Sequence, residues 1–189
     1  MSFSGTTPGT DPAAKNVQVT NSGGGTLTGL AAAVSYGAGQ ATGWLAASLN
    51  TATAPATLTL QPGLGSLAPG SYNATVSVSS SVAANSPQSI SVTLVVTALQ
   101  PPAAPSGLKA NAGAGHIDLA WKDNSTNETS FIVQRAVLST GPWNDIANLS
   151  PDTKAYRDNS VIRGITYYYR ILACNAAGCT VSNVDSEKA

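Results

Sequence analysis

The stretch that organises this chain is Ala98-Leu99-Gln100-Pro101-Pro102-Ala103-Ala104-Pro105. Proline fixes φ near about −65° and has no backbone N–H, so a strand cannot continue through this stretch as part of a hydrogen-bonded ladder. Each proline also favours extended geometry at the residue before it. We therefore predict a semi-rigid Pro-rich linker at residues 100–105, between one domain at residues 1–99 and another at residues 106–189.

Charge is distributed unevenly about this linker. Only 10% of the 189 residues are charged, and the formal net charge is zero. Up to Gln100 the only acidic or basic side chains are Asp11 and Lys15. This step in composition supports a domain boundary, and the lack of a basic cluster argues against nucleic acid as a partner.

The apolar runs and the first residues bear on the cellular location. The longest apolar runs have the length of strands, so no membrane span is expected. The first four residues, MSFS, lack the positively charged and apolar regions of a signal peptide, so we expect none within this chain.

The first half has the pattern of a β-sandwich. Short runs with period-2 alternation are separated by Gly, Ser, Thr and Pro, and they predict about seven strands. Trp44 is predicted to lie in the core, the alternative being an exposed platform for a ligand. Tyr72 follows Pro69-Gly70-Ser71 and is predicted to form a tyrosine corner, in which its hydroxyl binds the preceding backbone.

Four segments of the first half carry a family resemblance: residues 17–25 (VQVTNSGGG), 43–45 (GWL), 69–76 (PGSYNATV) and 86–94 (SPQSISVTL). In this order they resemble a BACON-type domain. Such domains are bacterial immunoglobulin-like modules found beside the catalytic domains of secreted hydrolases and in some phage proteins. The resemblance implies an immunoglobulin-like fold, and carbohydrate or mucin binding has been proposed for the family.

The outward faces of these strands carry Ser, Thr, Asn and Ala. A neutral surface lacks the charge repulsion that keeps proteins apart. Self-association through the uncharged first domain is one interpretation. The other is the ordinary surface composition of a secreted bacterial protein, which we favour.

The second half carries a more specific pattern. Trp121, Phe131 and Tyr167 lie at inward positions of alternating strands and are predicted core residues. The segments that carry a resemblance are residues 104–108 (APSGL), 119–129 (LAWKDNSTNET), 131–135 (FIVQR), 164–171 (GITYYYRI) and 175–178 (NAAG). Together they resemble a fibronectin type III domain. The fold class is therefore all-β, with two tandem immunoglobulin-like β-sandwiches joined by the linker.

Cys174 and Cys179 are the only cysteines, and they flank the turn at residues 175–178. In an antiparallel hairpin they can lie opposite each other, close enough for a disulfide. Two sulfurs without nearby histidines leave a zinc site incomplete. We predict a disulfide and hence an oxidising, extracellular or cell-surface location.

The residues do not form a recognisable catalytic constellation. His116 has no serine or cysteine in a nucleophile-elbow sequence with it. One turn carries side-chain oxygens that calcium could bind, those of Asp123, Asn124, Asn127 and Glu128. The spacing of these residues is not that of an EF-hand loop. Asp and Asn also bind their own backbone in turns, which is the favoured interpretation. No cofactor, no metal and no enzymatic activity are predicted.

Two aromatic residues are the candidates for ligand binding. Sugar binding by a β-sandwich commonly uses exposed aromatic rings, and Trp143 and Tyr168 are predicted to face outward. The main functional prediction is a non-catalytic spacer or adhesion pair that positions or binds a protein or polysaccharide at the bacterial cell surface. The alternatives are a carbohydrate-binding module of a secreted hydrolase and a structural subunit of a phage virion or surface filament.

Overall fold

The computed structural model describes residues 1–189, and it contains β-strands and no helix that could cross a membrane. The chain divides into two compact units, Met1–Leu99 and Gln100–Ala189. The prediction of an all-β chain is confirmed.

The first unit is a sandwich of seven strands, the number predicted, although β1 was not among the predicted runs. They are β1 (Ser2–Thr7), β2 (Lys15–Val19), β3 (Ala31–Tyr36), β4 (Leu45–Leu49), β5 (Ala56–Pro62), β6 (Gly70–Ser79) and β7 (Gln88–Ala98). One sheet has the order β1-β7-β6-β3 and the other the order β2-β5-β4. Only β1 and β7 pair in parallel.

The core of the first unit lies between these sheets. Leu58 and Leu60 of β5 face Val76 of β6 and Leu94 of β7, and all four are completely buried. Burying an aliphatic side chain of this size stabilises a fold by roughly 1.5–3 kcal/mol. Trp44 is 4% exposed and packs within this core, so it is not an exposed platform.

The hydroxyl of Tyr72 donates a 2.7 Å hydrogen bond to the carbonyl of Ala68, four residues upstream. This is the geometry of a tyrosine corner. The ring of Tyr72 is half-buried against the core.

The second unit contains eight strands. They are β8 (Ser106–Gly113), β9 (His116–Lys122), β10 (Ser130–Ala136), β11 (Asn144–Leu149), β12 (Ala155–Asp158), β13 (Thr166–Asn175), β14 (Gly178–Val181) and β15 (Asp185–Lys188). The smaller sheet has the order β12-β9-β8. The larger has the order β11-β10-β13-β14, and β15 also pairs with β13. Both units are therefore sandwiches of the immunoglobulin and fibronectin type III kind.

The core of the second unit contains the predicted aromatic residues. Phe131 is completely buried, and its ring centroid lies 5.9 Å from that of Trp121. Tyr167 is 5% exposed, and its hydroxyl accepts a 3.1 Å hydrogen bond from the backbone N–H of Ile162. Tyr167 therefore ties the segment before β13 to its own strand.

Residues 100–105 were predicted to form a linker, and the structure places them within the second unit. The side-chain amides of Asn127 and Asn175 both donate to the carbonyl of Gln100, at 3.0 and 2.9 Å. Proline removes a backbone donor but leaves every carbonyl as an acceptor, so side-chain donors can bind such a segment.

Two further contacts continue this attachment. The hydroxyl of Thr180 donates to the carbonyl of Pro102 at 2.7 Å, and the amide of Asn124 donates to that of Ala104 at 2.8 Å. Pro102 is also buried. The proline-rich segment is thus hydrogen-bonded to the second unit.

The predicted disulfide is present. Cys174 of β13 lies directly opposite Cys179 of β14, with a Cα–Cα distance of 4.1 Å and an S–S bond of 2.04 Å. Disulfides are typical of proteins in oxidising compartments.

Candidate functional site

The outer face of the larger sheet of the second unit brings both predicted ligand-binding residues together. Side chains alternate along β13, so the buried Tyr167, Tyr169 and Ile171 leave Tyr168 and Arg170 on the opposite face. The aromatic–arginine face is defined here by five residues: Gln134, Trp143, Asp145, Tyr168 and Arg170.

Arg170 is the centre of this face. Its guanidinium carbon lies 4.4 Å from the centroid of the Trp143 ring, which is cation–π geometry. Its Nε donates a 2.6 Å hydrogen bond to Oε1 of Gln134, the residue opposite it on β10. Gln134 in turn donates from Nε2 to Oδ1 of Asp145 at 2.7 Å. A continuous chain of contacts therefore runs from Trp143 to Asp145.

The loop between β10 and β11 sets the position of Trp143. Gly141 donates its N–H to the carbonyl of Leu138 at 3.0 Å and has a φ of 93°, which favours glycine. A Cβ at Gly141 would lie only 2.9 Å from Cδ1 of Trp143. Glycine is thus required here both for the backbone conformation and for the close approach of the indole.

Tyr168 lies opposite Ala136 of β10 and is partly buried, and its hydroxyl makes no hydrogen bond within the protein. Ala136 also faces outward but is only 3% exposed, so larger neighbours on the face cover it. Trp143 is partly buried as well, but Arg170 lies against its ring, whereas no cation lies on that of Tyr168. Tyr168 therefore offers the freer aromatic surface of the two.

Sequence reasoning singled out Trp143 and Tyr168 but missed Arg170. The available signal was the spacing Tyr168-x-Arg170, since alternate residues of a strand share a face. What the sequence did not reveal was the partner on the neighbouring strand, Gln134.

The four oxygen-bearing residues of the turn at residues 123–128 separate in the structure. Asp123 and Glu128 lie close together, and Asp152 joins them, with carboxylate oxygens within 4.8 Å of one another. Asn124 and Asn127 instead donate to the segment at residues 100–105. Sequence reasoning missed Asp152, which lies in the turn between β11 and β12.

Protein donors bind two of these carboxylates, those of Asp123 and Glu128. The hydroxyl of Ser125 donates to Oε2 of Glu128 at 2.6 Å and to Oδ1 of Asp123 at 3.2 Å. The backbone N–H of Asp152 donates to the other oxygen of Glu128 at 3.2 Å. The bond from Ser125 holds the pKa of Glu128 below its usual value, against the opposite effect of burial. These contacts stabilise the turn at residues 123–128 and join it to the turn that contains Asp152.

His116 lies at the start of β9, where its Nε2 is 3.3 Å from Oδ2 of Asp118. Asp118 also forms a two-point ion pair with Arg157, at 2.7 and 3.0 Å. No serine or cysteine side chain is hydrogen-bonded to His116, which lies beside the Arg157–Asp118 ion pair on the smaller sheet.

No family model matches this sequence, and no curated protein matches it. Among solved structures, an Fn3-like protein from Clostridium thermocellum is 29% identical, with a TM-score of 0.41, over 46% of this chain and 92% of that one. Titin domains A168–A170 are 14% identical, with a TM-score of 0.46, over 99% of this chain and 61% of that one. A pectate lyase, PelI from Erwinia chrysanthemi, is 22% identical, with a TM-score of 0.41, over 44% of this chain and only 28% of that one.

Proposed function

We propose that this chain is a non-catalytic pair of β-sandwich modules from an extracellular bacterial protein, and that it positions and binds a partner. The observation that carries the proposal is Arg170, which is fixed between Trp143 and Gln134 beside the free hydroxyl of Tyr168. Tryptophan, tyrosine and arginine are the residues most enriched at the energetic centres of binding surfaces.

The architecture supports binding on a surface. Side chains fill the core of each unit, so a partner would bind to a face or an edge. The aromatic–arginine face lies on a sheet whose hydrogen bonds hold its side chains in register, which lowers the entropic cost of ordering them on binding.

The disulfide between Cys174 and Cys179 supports an extracellular location. For the first unit we propose a BACON-type module, on the resemblance of its segments, serving as a spacer. Its two charged side chains, Asp11 and Lys15, leave a neutral surface, on which self-association stays a hypothesis.

A carbohydrate-binding module is the second candidate function. It is favoured by one observation, the presence of Trp143 and Tyr168 on the same face as a hydrogen-bonding glutamine and arginine. Aromatic rings that pack on a sugar, together with polar side chains that bind its hydroxyl groups, are the usual contents of a small-molecule site.

A binding screen of the intact 189-residue chain tests the proposal. The chain is applied to an array of glycans and to purified bacterial cell-surface proteins, beside a Trp143→Ala/Tyr168→Ala double variant. We expect a partner that the double variant no longer binds, while the control Tyr156→Phe, altered on the smaller sheet, still binds. A partner bound equally by the double variant would place the site elsewhere and contradict the proposal.

A further inference from the structure

We propose that the ligand of the aromatic–arginine face carries a carboxylate, and that it is an acidic, uronate-containing glycan bound by Arg170 and Tyr168. This inference rests on the proposed binding function of the same face and adds the chemical class of the ligand. The inference is drawn from the N–H groups of Arg170 that make no hydrogen bond within the protein.

Arginine has five N–H donors arranged as a rigid planar fork. Arg170 uses its Nε donor on Gln134, and its four terminal N–H donors make no hydrogen bond within the protein. The ring of Trp143 and the oxygen of Gln134 together fix the plane of the guanidinium. A planar fork held in one orientation with free terminal nitrogens is suited to bind a carboxylate through two parallel hydrogen bonds.

Arg170 differs from the two arginines of the second unit that form ion pairs. Arg135 binds the buried Asp158 at 2.8 Å, and Arg157 binds Asp118 through two nitrogens. Arg170 has contacts that orient it but has no carboxylate partner. A ligand carboxylate would supply the missing partner.

The charges around Arg170 are mixed. Asp145 is negative, but its Oδ1 accepts from Gln134, which lies between it and Arg170. Lys188 of β15 lies opposite Thr166, which precedes Tyr168 by two residues on β13 and faces the same side of the sheet. Lys188 therefore adds a positive charge on that side. The face itself thus carries one cation and one anion, the anion is hydrogen-bonded within the protein, and Lys188 adds a second cation beside the face.

The neighbouring tyrosine favours a sugar over an acidic peptide. Tyr168 and Arg170 are two residues apart on one strand, so their side chains stand about 7 Å apart on the face. A uronate has its carboxylate at the edge of a ring whose C–H groups can pack on an aromatic surface. Asp and Glu side chains carry theirs on a flexible chain with no such flat face.

In this arrangement Trp143 is a positioning residue. Its ring lies against the guanidinium, so it orients Arg170 and does not serve as the main sugar platform. This role differs from the sequence prediction, in which Trp143 itself bound the ligand. Tyr168, whose hydroxyl is free, provides the sugar contact.

Calorimetric titration of the intact chain with three polymers tests the inference. The probes are sodium polygalacturonate, its fully methyl-esterified form, which keeps the sugar but loses the charge, and poly-L-glutamate. We expect polygalacturonate to bind at least tenfold more tightly than either of the other two.

Three variants locate the binding. Arg170→Gln should weaken polygalacturonate binding at least tenfold, and Arg170→Lys should restore only part of it because the fork is lost. The control Arg163→Gln removes the same charge from an exposed arginine without contacts and should leave binding unchanged. Circular dichroism checks that each variant is folded.

Several results would overturn the inference. Equal binding of the esterified polymer would show that no carboxylate is needed, and equal binding of poly-L-glutamate would identify a peptide ligand. An equal loss in Arg163→Gln would indicate non-specific attraction, and no binding of polygalacturonate would reject the ligand class. Each of these leaves the binding function of the face intact if the screen above has found a partner lost in the Trp143→Ala/Tyr168→Ala variant.

Discussion

The hydroxyl of Tyr169 donates a 3.0 Å hydrogen bond to Oδ2 of Asp158, and both side chains are completely buried. Asp158 also accepts from Nη1 of Arg135 at 2.8 Å and from the N–H and hydroxyl of Ser160 at 2.9 and 2.7 Å. Burial raises the pKa of Asp158, but the bonds from Ser160, Arg135 and Tyr169 outweigh it and hold the pKa below its usual value. The carboxylate of Asp158, at the end of β12, thereby joins the smaller sheet to β10 and β13 of the larger sheet.

Replacing this carboxylate should destabilise the second unit. Asp158→Asn keeps the shape but leaves Arg135 without its counter-charge, and breaking a buried ion pair in this way costs about 3 kcal/mol. Hydrogen exchange of the second unit's amides, measured by mass spectrometry, reports the loss. The control Asp118→Asn removes an exposed ion pair and should change little. Equal effects of the two substitutions would contradict a special role for Asp158.

The stability of the second unit should fall in acid. The pKa of Asp158 and that of Glu128 are lowered by folding, so each group stabilises the native state above its unfolded pKa, which is about 3.9 for Asp and 4.3 for Glu. This stability is lost as the pH falls below those values and through the lower folded ones. Urea unfolding at a series of pH values from neutral to acid should show the decrease. Asp158→Asn should show a shallower one, and an unchanged slope would argue against the lowered pKa.

The disulfide should contribute a small share of the stability. It closes a loop with a sequence separation of five, for which the chain-entropy effect is at most about 2 kcal/mol. The Cys174→Ser/Cys179→Ser double variant should therefore remain folded with a modest fall in its urea midpoint. Unreduced protein should also show no alkylation after denaturation, and free thiols in material produced under oxidising conditions would contradict the disulfide.

Substitution of Gly141 should release Trp143 from the aromatic–arginine face. In Gly141→Ala the alanine would have to adopt a positive φ, which lowers the free energy of unfolding by roughly 1–2 kcal/mol. Its Cβ would also overlap Trp143. The control is Gly115→Ala, where φ is 80° but nothing lies within 4 Å of the added Cβ. Acrylamide quenching of tryptophan fluorescence should rise in Gly141→Ala only, because Trp44 and Trp121 stay buried. A similar rise in both variants would mean that backbone strain alone is responsible.

The tyrosine corner of the first unit can be tested by removing one oxygen. Tyr72→Phe loses the hydrogen bond to Ala68 and should lower the stability of the first unit by about 1 kcal/mol. Tyr156→Phe removes a hydroxyl that makes no hydrogen bond and should be neutral. Hydrogen exchange in the unit that carries each substitution measures its effect, and no difference between the two variants would show that the corner is not stabilising.

Local patterns predicted much of the fold and less of the candidate site. Alternation along β13 placed Tyr167 inside and Tyr168 outside, and short spacing predicted the pair of cysteines. The partner of Arg170 was not predictable, because Gln134 lies 36 residues away and meets it only through the register of β10 with β13. Asp158 was missed for the same reason, since nothing in its polar segment indicates burial.

The sequence by itself determined that the chain is all-β, which face of most strands is apolar, and where prolines interrupt the strand pattern. These properties follow from a side-chain period of two and from the missing N–H of proline, both of which act within a few residues. Tertiary structure alone decided that residues 100–105 bind the second unit and that Trp143, Arg170 and Gln134 form one contact chain. Such contacts join strands distant in sequence, and their register is set by the packing of the whole core.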